Sequence, residues 1–480
     1  MRDRPNTALL EWAAILTVLA ALGVLILQIV AHSRVRAQLQ AGMIIADIPV
    51  GGLTAEEAGV LLSRVYAAPV ELHYREEVFL LDPTAISFRL DLESMLSRAD
   101  TFRSETSFWR GFWEYLWNRP GQLVSVPIEV EYSSVQLEAY LENVAVRYDA
   151  PPTAPIGDPD SLGFVAGLPG YTLDLDSSMA VIDMALRVPS NRRVALTISE
   201  GVTIAPTLET VGDLVNNYIA EVGFDGVLSL VVVDLETGEE SAINPDVAYA
   251  GMSIMKIPIL VSTYRAWSIE PFEHTLKVIS EMIELSGNVS ANILLWDLGE
   301  EDRLLGAGIV TADMLALGLN NTFMAGYYDQ ETPPAVIETA ANLREDINTA
   351  PDPYMQTTPA DIAALLTMLY QCASNGGGAF EVVFPDKLTP SECTLMLDIL
   401  KRNRLGSLLE AGVAEGTPVA HKHGFGEGDT IGDAGVVFSP GNDYVIAIYT
   451  WHPVALEWVA VSPIIANVSR IVYNYFNPPQ

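Results

Sequence analysis

Tyr249-Ala250-Gly251-Met252-Ser253-Ile254-Met255-Lys256-Ile257-Pro258-Ile259-Leu260 sets Ser-x-x-Lys at the head of an apolar, helix-like run. On a helix, residues i and i+3 share a face, so the Lys256 amine falls beside the Ser253 hydroxyl. A serine hydroxyl is a weak nucleophile until a neighbouring base takes its proton, and a desolvated lysine can do that. At a helix N-terminus the Ser253 backbone N–H is also free to point at a developing oxyanion. The motif is short and both residue types are common, so its surroundings decide its weight. The flanks are apolar. Lysine is scarce too: Lys256, Lys277, Lys387, Lys401 and Lys422 are the only ones.

The chain has 480 residues, too many for one core, so two to four domains are expected. Half of it is apolar and 18% is charged, which suits globular domains plus a membrane segment. A formal net charge of −35 repels phosphate backbones and argues against nucleic-acid binding. The two cysteines, Cys372 and Cys393, flank a predicted loop between helices. A disulfide and a pair of buried thiols both remain open. No Cys/His cluster has metal-ligand spacing, so neither a metal nor another cofactor is expected.

Trp12 to Val30 is a nearly continuous apolar run. At 1.5 Å per residue it reaches roughly 28 Å, enough to cross a bilayer core. Ala31-His32-Ser33 is a poor cleavage site, so an uncleaved anchor is expected. Arg2 and Arg4 precede the run, and Arg34 and Arg36 follow it, which leaves orientation nearly undecided by charge. The short N-terminus suggests that the remainder lies outside the cytoplasm. Beyond the anchor, Ala46 to Glu57 reads as strand, glycine turn and helix, with Thr54 and Glu57 as a capping box. Val70 to Leu81 alternates like a hairpin. Phe88-Arg89-Leu90-Asp91-Leu92-Glu93-Ser94 resembles Tyr171-Thr172-Leu173-Asp174-Leu175-Asp176-Ser177, which suggests a duplication. Two related α+β modules are expected, over 43–125 and 126–206, after a tip, helix and linker over 1–42. Between the repeats, Phe108 to Trp117 is dense in aromatics. Module packing is the favoured reading, and a membrane-interface role the other. Tyr148 to Asp160 is expected as a loop within the second module.

The Val50-Gly51-Gly52-Leu53-Thr54 segment and the Leu-Asp-Leu segments resemble the peptidoglycan-binding modules found before VanW-type domains in bacterial envelope proteins. The resemblance implies a cell-wall partner.

From Thr207 onward a buried strand, Gly226 to Asp234, precedes the Ser253 helix. Helical stretches run from Glu273 to Leu409, and further strands follow at Val419–Lys422, Ala434–Phe438 and Tyr444–Thr450. That pattern predicts an antiparallel sheet built from both ends of the segment around a helical block. Two elements follow Ser253: Ser286-Gly287-Asn288 with Asn292 four residues on, and Lys422-His423-Gly424-Phe425 before the turn at Gly426-Glu427-Gly428.

With Ser253-x-x-Lys256 these elements resemble the three marks of class A β-lactamases and penicillin-binding enzymes, over residues 207–480. The resemblance implies that Ser253 is acylated and that Lys256 helps to deprotonate it. Ser286 would relay a proton to the leaving nitrogen, and Asn288 would hold the substrate amide. Lys422, with His423, Gly424 and Phe425, would bind the substrate carboxylate. The backbone N–H groups of Ser253 and Phe425 would form the oxyanion hole. Three departures stand out. Gly287 replaces an aspartate that braces the loop. His423 replaces a small hydroxyl residue. The family's water-activating glutamate has no counterpart in register: Arg344 stands there, with Glu345 one residue off and Asp352 a further candidate. The reading is an α+β chain with a β-lactamase-like domain, a transmembrane helix and two small modules. It would be anchored in the cell membrane by one helix and act outside it on β-lactams or peptidoglycan-like amides. A weakly active or inactive cell-wall scaffold is the alternative.

Overall fold

The structure, a computed structural model, describes residues 7–105, 107–117, 123–267, 273–403, 405–426 and 428–478. Arg2, Arg4 and Glu427 lie outside these. The chain divides into two compact units: 1–153 with 168–203, and 154–167 with 204–480.

The second unit is built on a five-stranded antiparallel sheet. Its strands run in the order Glu240–Ile243, Val227–Asp234, Tyr444–Trp451, Thr430–Val437, Val419–Gly426. Successive side chains on a strand point to opposite faces. Leu228, Leu230, Val232, Ile446 and Ile448 therefore join one core with the helices Leu208–Val222 and Trp458–Phe476. Val231, Val445, Ala447 and Tyr449 join the other, with the helical block. Both faces are covered, which is why these strands read as continuous apolar runs rather than alternating ones. Inside the block the helix Lys256–Ala266 is buried from Lys256 through Tyr264. The helices Glu273–Glu284, Asn288–Leu298, Arg303–Ala316, Pro359–Asn375 and Pro390–Leu400 form the rest of the block. A second small sheet, Tyr249–Ala250 with Met355–Thr357 and Phe323–Met324, ties the approach to Ser253 to the segment after Asp352.

The expected loop Tyr148–Asp160 is only partly one. Ile156–Asp158 and Gly163–Val165 form a hairpin that belongs to the second unit. Asn474 Nδ2 donates to the Leu162 carbonyl at 2.8 Å, and the Phe164 ring lies 6.4 Å from that of Tyr475. Those contacts are remote in sequence and left no local signal.

In the first unit the helix Thr7–Val35 includes a span, Leu10–Val35, that is long and apolar enough to cross a membrane. The Thr54–Glu57 capping box forms, with Glu57 N–H on Thr54 Oγ1 and Thr54 N–H on the Glu57 carboxylate. The repeated Asp91 and Asp174 each cap a helix, accepting from Ser94 N–H at 2.9 Å and Ser177 N–H at 3.0 Å. Strand pairing crosses the expected module boundary at 125/126. Val70–Tyr74 runs parallel to Arg193–Ala195, and Arg89–Leu90 pairs with Val130–Glu131.

Cys372 and Cys393 form a disulfide between the helices Pro359–Asn375 and Pro390–Leu400, closing a separation of 21 residues. Removing a cross-link over a loop of this size costs about 3 kcal/mol by the chain-entropy argument. Cys372→Ser is therefore expected to lower the thermal midpoint of the second unit by several degrees in calorimetry. An unchanged midpoint would show that the bridge does not constrain the unfolded chain.

Candidate active site

Ser253 sits in the short 3-10 turn Met252–Met255, which runs straight into the helix Lys256–Ala266. The apolar flanks bury Lys256 completely. Its Nζ reaches Ser253 Oγ at 2.8 Å, the Ser286 carbonyl at 2.6 Å, Ser286 Oγ at 3.2 Å and Asn288 Oδ1 at 3.0 Å. Ser286 Oγ lies 3.0 Å from Ser253 Oγ. Four oxygens of three residues, from two distant segments, thus converge on one amine. Burial pushes Lys256 down to about 7, helped by the charge of Lys422 and opposed by Asp329. An amine at that value is part neutral near neutral pH, so it can accept the Ser253 proton.

The chain belongs to the beta-lactamase enzyme family. The match covers residues 211–272 and 274–476, more than half of the chain. Solved structures similar to it include PBP-A, at 23% identity and a TM-score of 0.43 over 57% of this chain and 98% of that one. A mutant of PBP-A held as an acyl-enzyme with penicillin G gives 23% and 0.42 over 56% and 97%. The class A beta-lactamase of the last common ancestor of Gram-negative bacteria gives 22% and 0.42 over 55% and 99%. Among curated proteins none matches.

In this beta-lactamase-family domain the backbone around the nucleophile is bent into the left-handed region at two non-glycine residues, Met252 (φ 50°) and Ser286 (φ 55°). Each is held by a hydrogen bond. Tyr328 Oη donates to the Met252 carbonyl at 2.8 Å, and Lys256 holds the Ser286 carbonyl. Tyr328 is in turn clasped through its backbone by Asn292, whose Oδ1 accepts its N–H at 3.0 Å and whose Nδ2 donates to its carbonyl at 2.8 Å. The second Asn of the motif therefore acts two steps from the serine. Gly287 lacks a side chain, and Glu281 braces the loop instead. Its carbonyl accepts from Gly287 N–H at 3.2 Å, and its carboxylate from Ser290 Oγ at 3.3 Å.

Lys422 lies on the edge strand Val419–Gly426, fully buried, with Nζ on the His423 carbonyl at 3.1 Å. It makes no hydrogen bond to Ser253 or Ser286 here, and acts on Lys256 through its charge. Burial pushes it down to about 8, against the pull of Asp433. Gly424 lets this strand approach the nucleophile: a Cβ there would stand 2.8 Å from that of Met252. Phe425 is half exposed, its ring edge-on to Trp458 at 6.0 Å.

Sequence reasoning missed the network behind this strand. Asp433, the cross-strand partner of His423, is fully buried and lies 2.8 Å from His421 Nδ1. His421 Nε2 is 2.7 Å from the Asn403 carbonyl. Both ring nitrogens face acceptors. Burial works against charge on His421, but the Asp433 carboxylate outweighs it and the pKa is raised. Asn403 Nδ2 spans the His421 carbonyl at 3.1 Å and His423 Nδ1 at 3.3 Å. An amide nitrogen can only donate, so His423 Nδ1 accepts and its ring proton is on Nε2. Burial, then Lys422, push His423 down to about 4. His423 is thus a neutral ring with one N–H to offer where the family pattern has a hydroxyl.

Ser253, Asn288 and Phe425 line a cleft of about 560 Å³ with Tyr328, Asp329, Asp352 and Asp429. Asp329 was not anticipated. It faces Asn288, with Nδ2 at 3.4 and 3.5 Å from its two oxygens. Glu345 is exposed and lies outside this lining, while Arg344 pairs with Asp346 at 2.6 Å. Of the two carboxylates considered from sequence, Asp352 reaches the cleft.

Ring nitrogen shifts in isotope-labelled protein should report His423 as the Nε2-protonated neutral tautomer from about pH 5 upward, and Asn403→Leu should release it to a mixture. Ordinary titration of His423 near 6.5 would contradict the geometry.

Proposed function

We propose that this chain is a membrane-anchored serine hydrolase that works outside the cytoplasm and forms a Ser253 acyl-enzyme on β-lactams or peptidoglycan-like amides. The observation that carries the reading is the Ser253 hydroxyl, in the lining of a cleft, hydrogen-bonded to a buried lysine of lowered pKa. Lys256 takes the Ser253 proton as the hydroxyl attacks the amide carbon. Ser286, in contact with both, passes a proton to the departing nitrogen. Asn288 orients the substrate amide. Lys422 and the Nε2–H of His423 receive the substrate carboxylate beside Gly424 and Phe425, and the N–H groups of Ser253 and Phe425 receive the oxyanion. The disulfide favours an oxidising compartment, which agrees with a domain held outside the membrane by the Leu10–Val35 span. The modules at 43–125 and 126–206 are proposed to hold the enzyme against peptidoglycan.

Deacylation is expected to be slow. No glutamate stands in the family's register, and a base misplaced by 1 Å can lose ~100-fold. Asp329, Asp352 and Asp429 are the carboxylates that line the cleft with Ser253. A scaffold that binds without turnover is the second reading, favoured by this gap and by Gly287 and His423.

A fluorescent penicillin should label the full-length protein and leave Ser253→Ala unlabelled; equal labelling of the two would remove the enzymatic reading. Lys256→Ala should slow labelling by ~100-fold or more, the usual contribution of a general base. The labelling rate against pH should be bell-shaped. It rises as Lys256 loses its proton near 7 and falls as Lys422 loses its charge near 8, the two limbs belonging to the coupled pair. A rate independent of pH between 6 and 9 would reject lysine as the base.

A further inference from the structure

The helix Phe108–Leu116 has two aromatic faces with different neighbours. Phe108, Phe112 and Tyr115 surround the His32 ring, with centroids 5.2, 5.6 and 5.3 Å away. His32 lies in the last turn of the apolar helix Thr7–Val35, and the guanidinium of Arg36 stands 5.4 Å from the Phe108 centroid. The aromatic helix is therefore docked at the end of the candidate span. Its other face carries Trp109 and Trp113, with Trp117 one turn on, at 61, 56 and 72% exposure. Residues spaced by four stack along one helix face. Three indoles in a row, left to water, are the reverse of ordinary surface composition.

Arg110 and Glu114 pair across one turn at 3.2 Å and cancel. His32 is buried, yet neither ring nitrogen has a partner among the described residues.

We propose that Phe108–Leu116 lies in the headgroup layer of the bilayer where the Thr7–Val35 helix emerges, with Trp109, Trp113 and Trp117 seated at the acyl boundary. The partner is a lipid surface. Indole rings favour that depth because the ring body is apolar and the N–H is polar. The indole face itself carries no charge, so its contact with a zwitterionic bilayer is apolar and insensitive to salt. It rests on the anchor part of the proposed function and is independent of the Ser253 chemistry.

The test uses full-length protein in phosphatidylcholine vesicles whose acyl chains carry bromine either near the headgroup or near the bilayer centre. Bromine quenches nearby tryptophan. Wild type should lose emission to the shallow bromine, and Trp109→Ser/Trp113→Ser/Trp117→Ser should lack that component, equally at about 0.05 and 0.5 M salt. Trp12→Phe removes the reporter within the span itself. If Trp12 is quenched and the triple variant matches wild type at the shallow position, the collar is refuted while the anchor stands. If Trp12 is not quenched either, both fail. If the shallow component is missing at high protein density and appears only on dilution of the protein within the vesicles, a second copy rather than lipid covers this face, and the proposal is overturned.

Discussion

One buried amine organises the catalytic half of this chain. Among the described residues no carboxylate pairs with Lys256; it donates to three side-chain oxygens and a carbonyl, and the Tyr328 ring lies 4.8 Å away. Neutral acceptors offset only part of what an ammonium loses on leaving water. The group settles this by holding its proton loosely. Nearby Lys422 pushes in the same direction and Asp329 pushes back. The lowered basicity of Lys256 thus follows from a deficit of negative charge at one point of a strongly acidic protein.

Behind the edge strand the same physics is arranged with the opposite sign. Asp433 is buried one strand from His423, where a bare carboxylate would spoil an anion site. His421, held between Asp433 and the Asn403 carbonyl, gives that carboxylate a partner behind the strand, and Asp433 still pulls on Lys422. Asn403 then does a second thing with its amide: it fixes the tautomer of His423. A bulky imidazole in place of a hydroxyl keeps a donor at the position only because this network stands behind it.

The parts of the site that the sequence disclosed are those whose geometry is local. Ser253 and Lys256 are three apart at a helix start, Ser286 and Asn288 flank another helix start, and Lys422 is a rare lysine on a strand. The resemblance of the three segments to the family's marks implied that these would meet. Tyr328, Asp329, Asn403 and Asp433 left no such trace, since each acquires its role from a partner 12 to 76 residues away. Asn292 was visible as a motif position, but its grip on the Tyr328 backbone was not. The same holds for the fold. The sheet around a helical block follows from the order of apolar runs. In the first unit, a parallel pairing between Val70–Tyr74 and Arg193–Ala195 spans both expected modules, and local pattern carries no information about such a register.

Structure and chemistry cannot be separated cleanly at Lys256. Met252 and Ser286 sit in left-handed backbone, which costs roughly 1–2 kcal/mol for a residue with a side chain. Ser286 is kept there by the Lys256 amine on its carbonyl, and Met252 by the Tyr328 hydroxyl. The amine proposed to take the proton from Ser253 therefore also holds the backbone that aims Ser286 at it. Deleting the lysine removes a base and releases a strained turn together, so the loss it causes is larger than the proton transfer alone would give. Tyr328 offers the cleaner separation. Its hydroxyl touches neither serine, so Tyr328→Phe relaxes the turn at Met252 while leaving every acid and base in place.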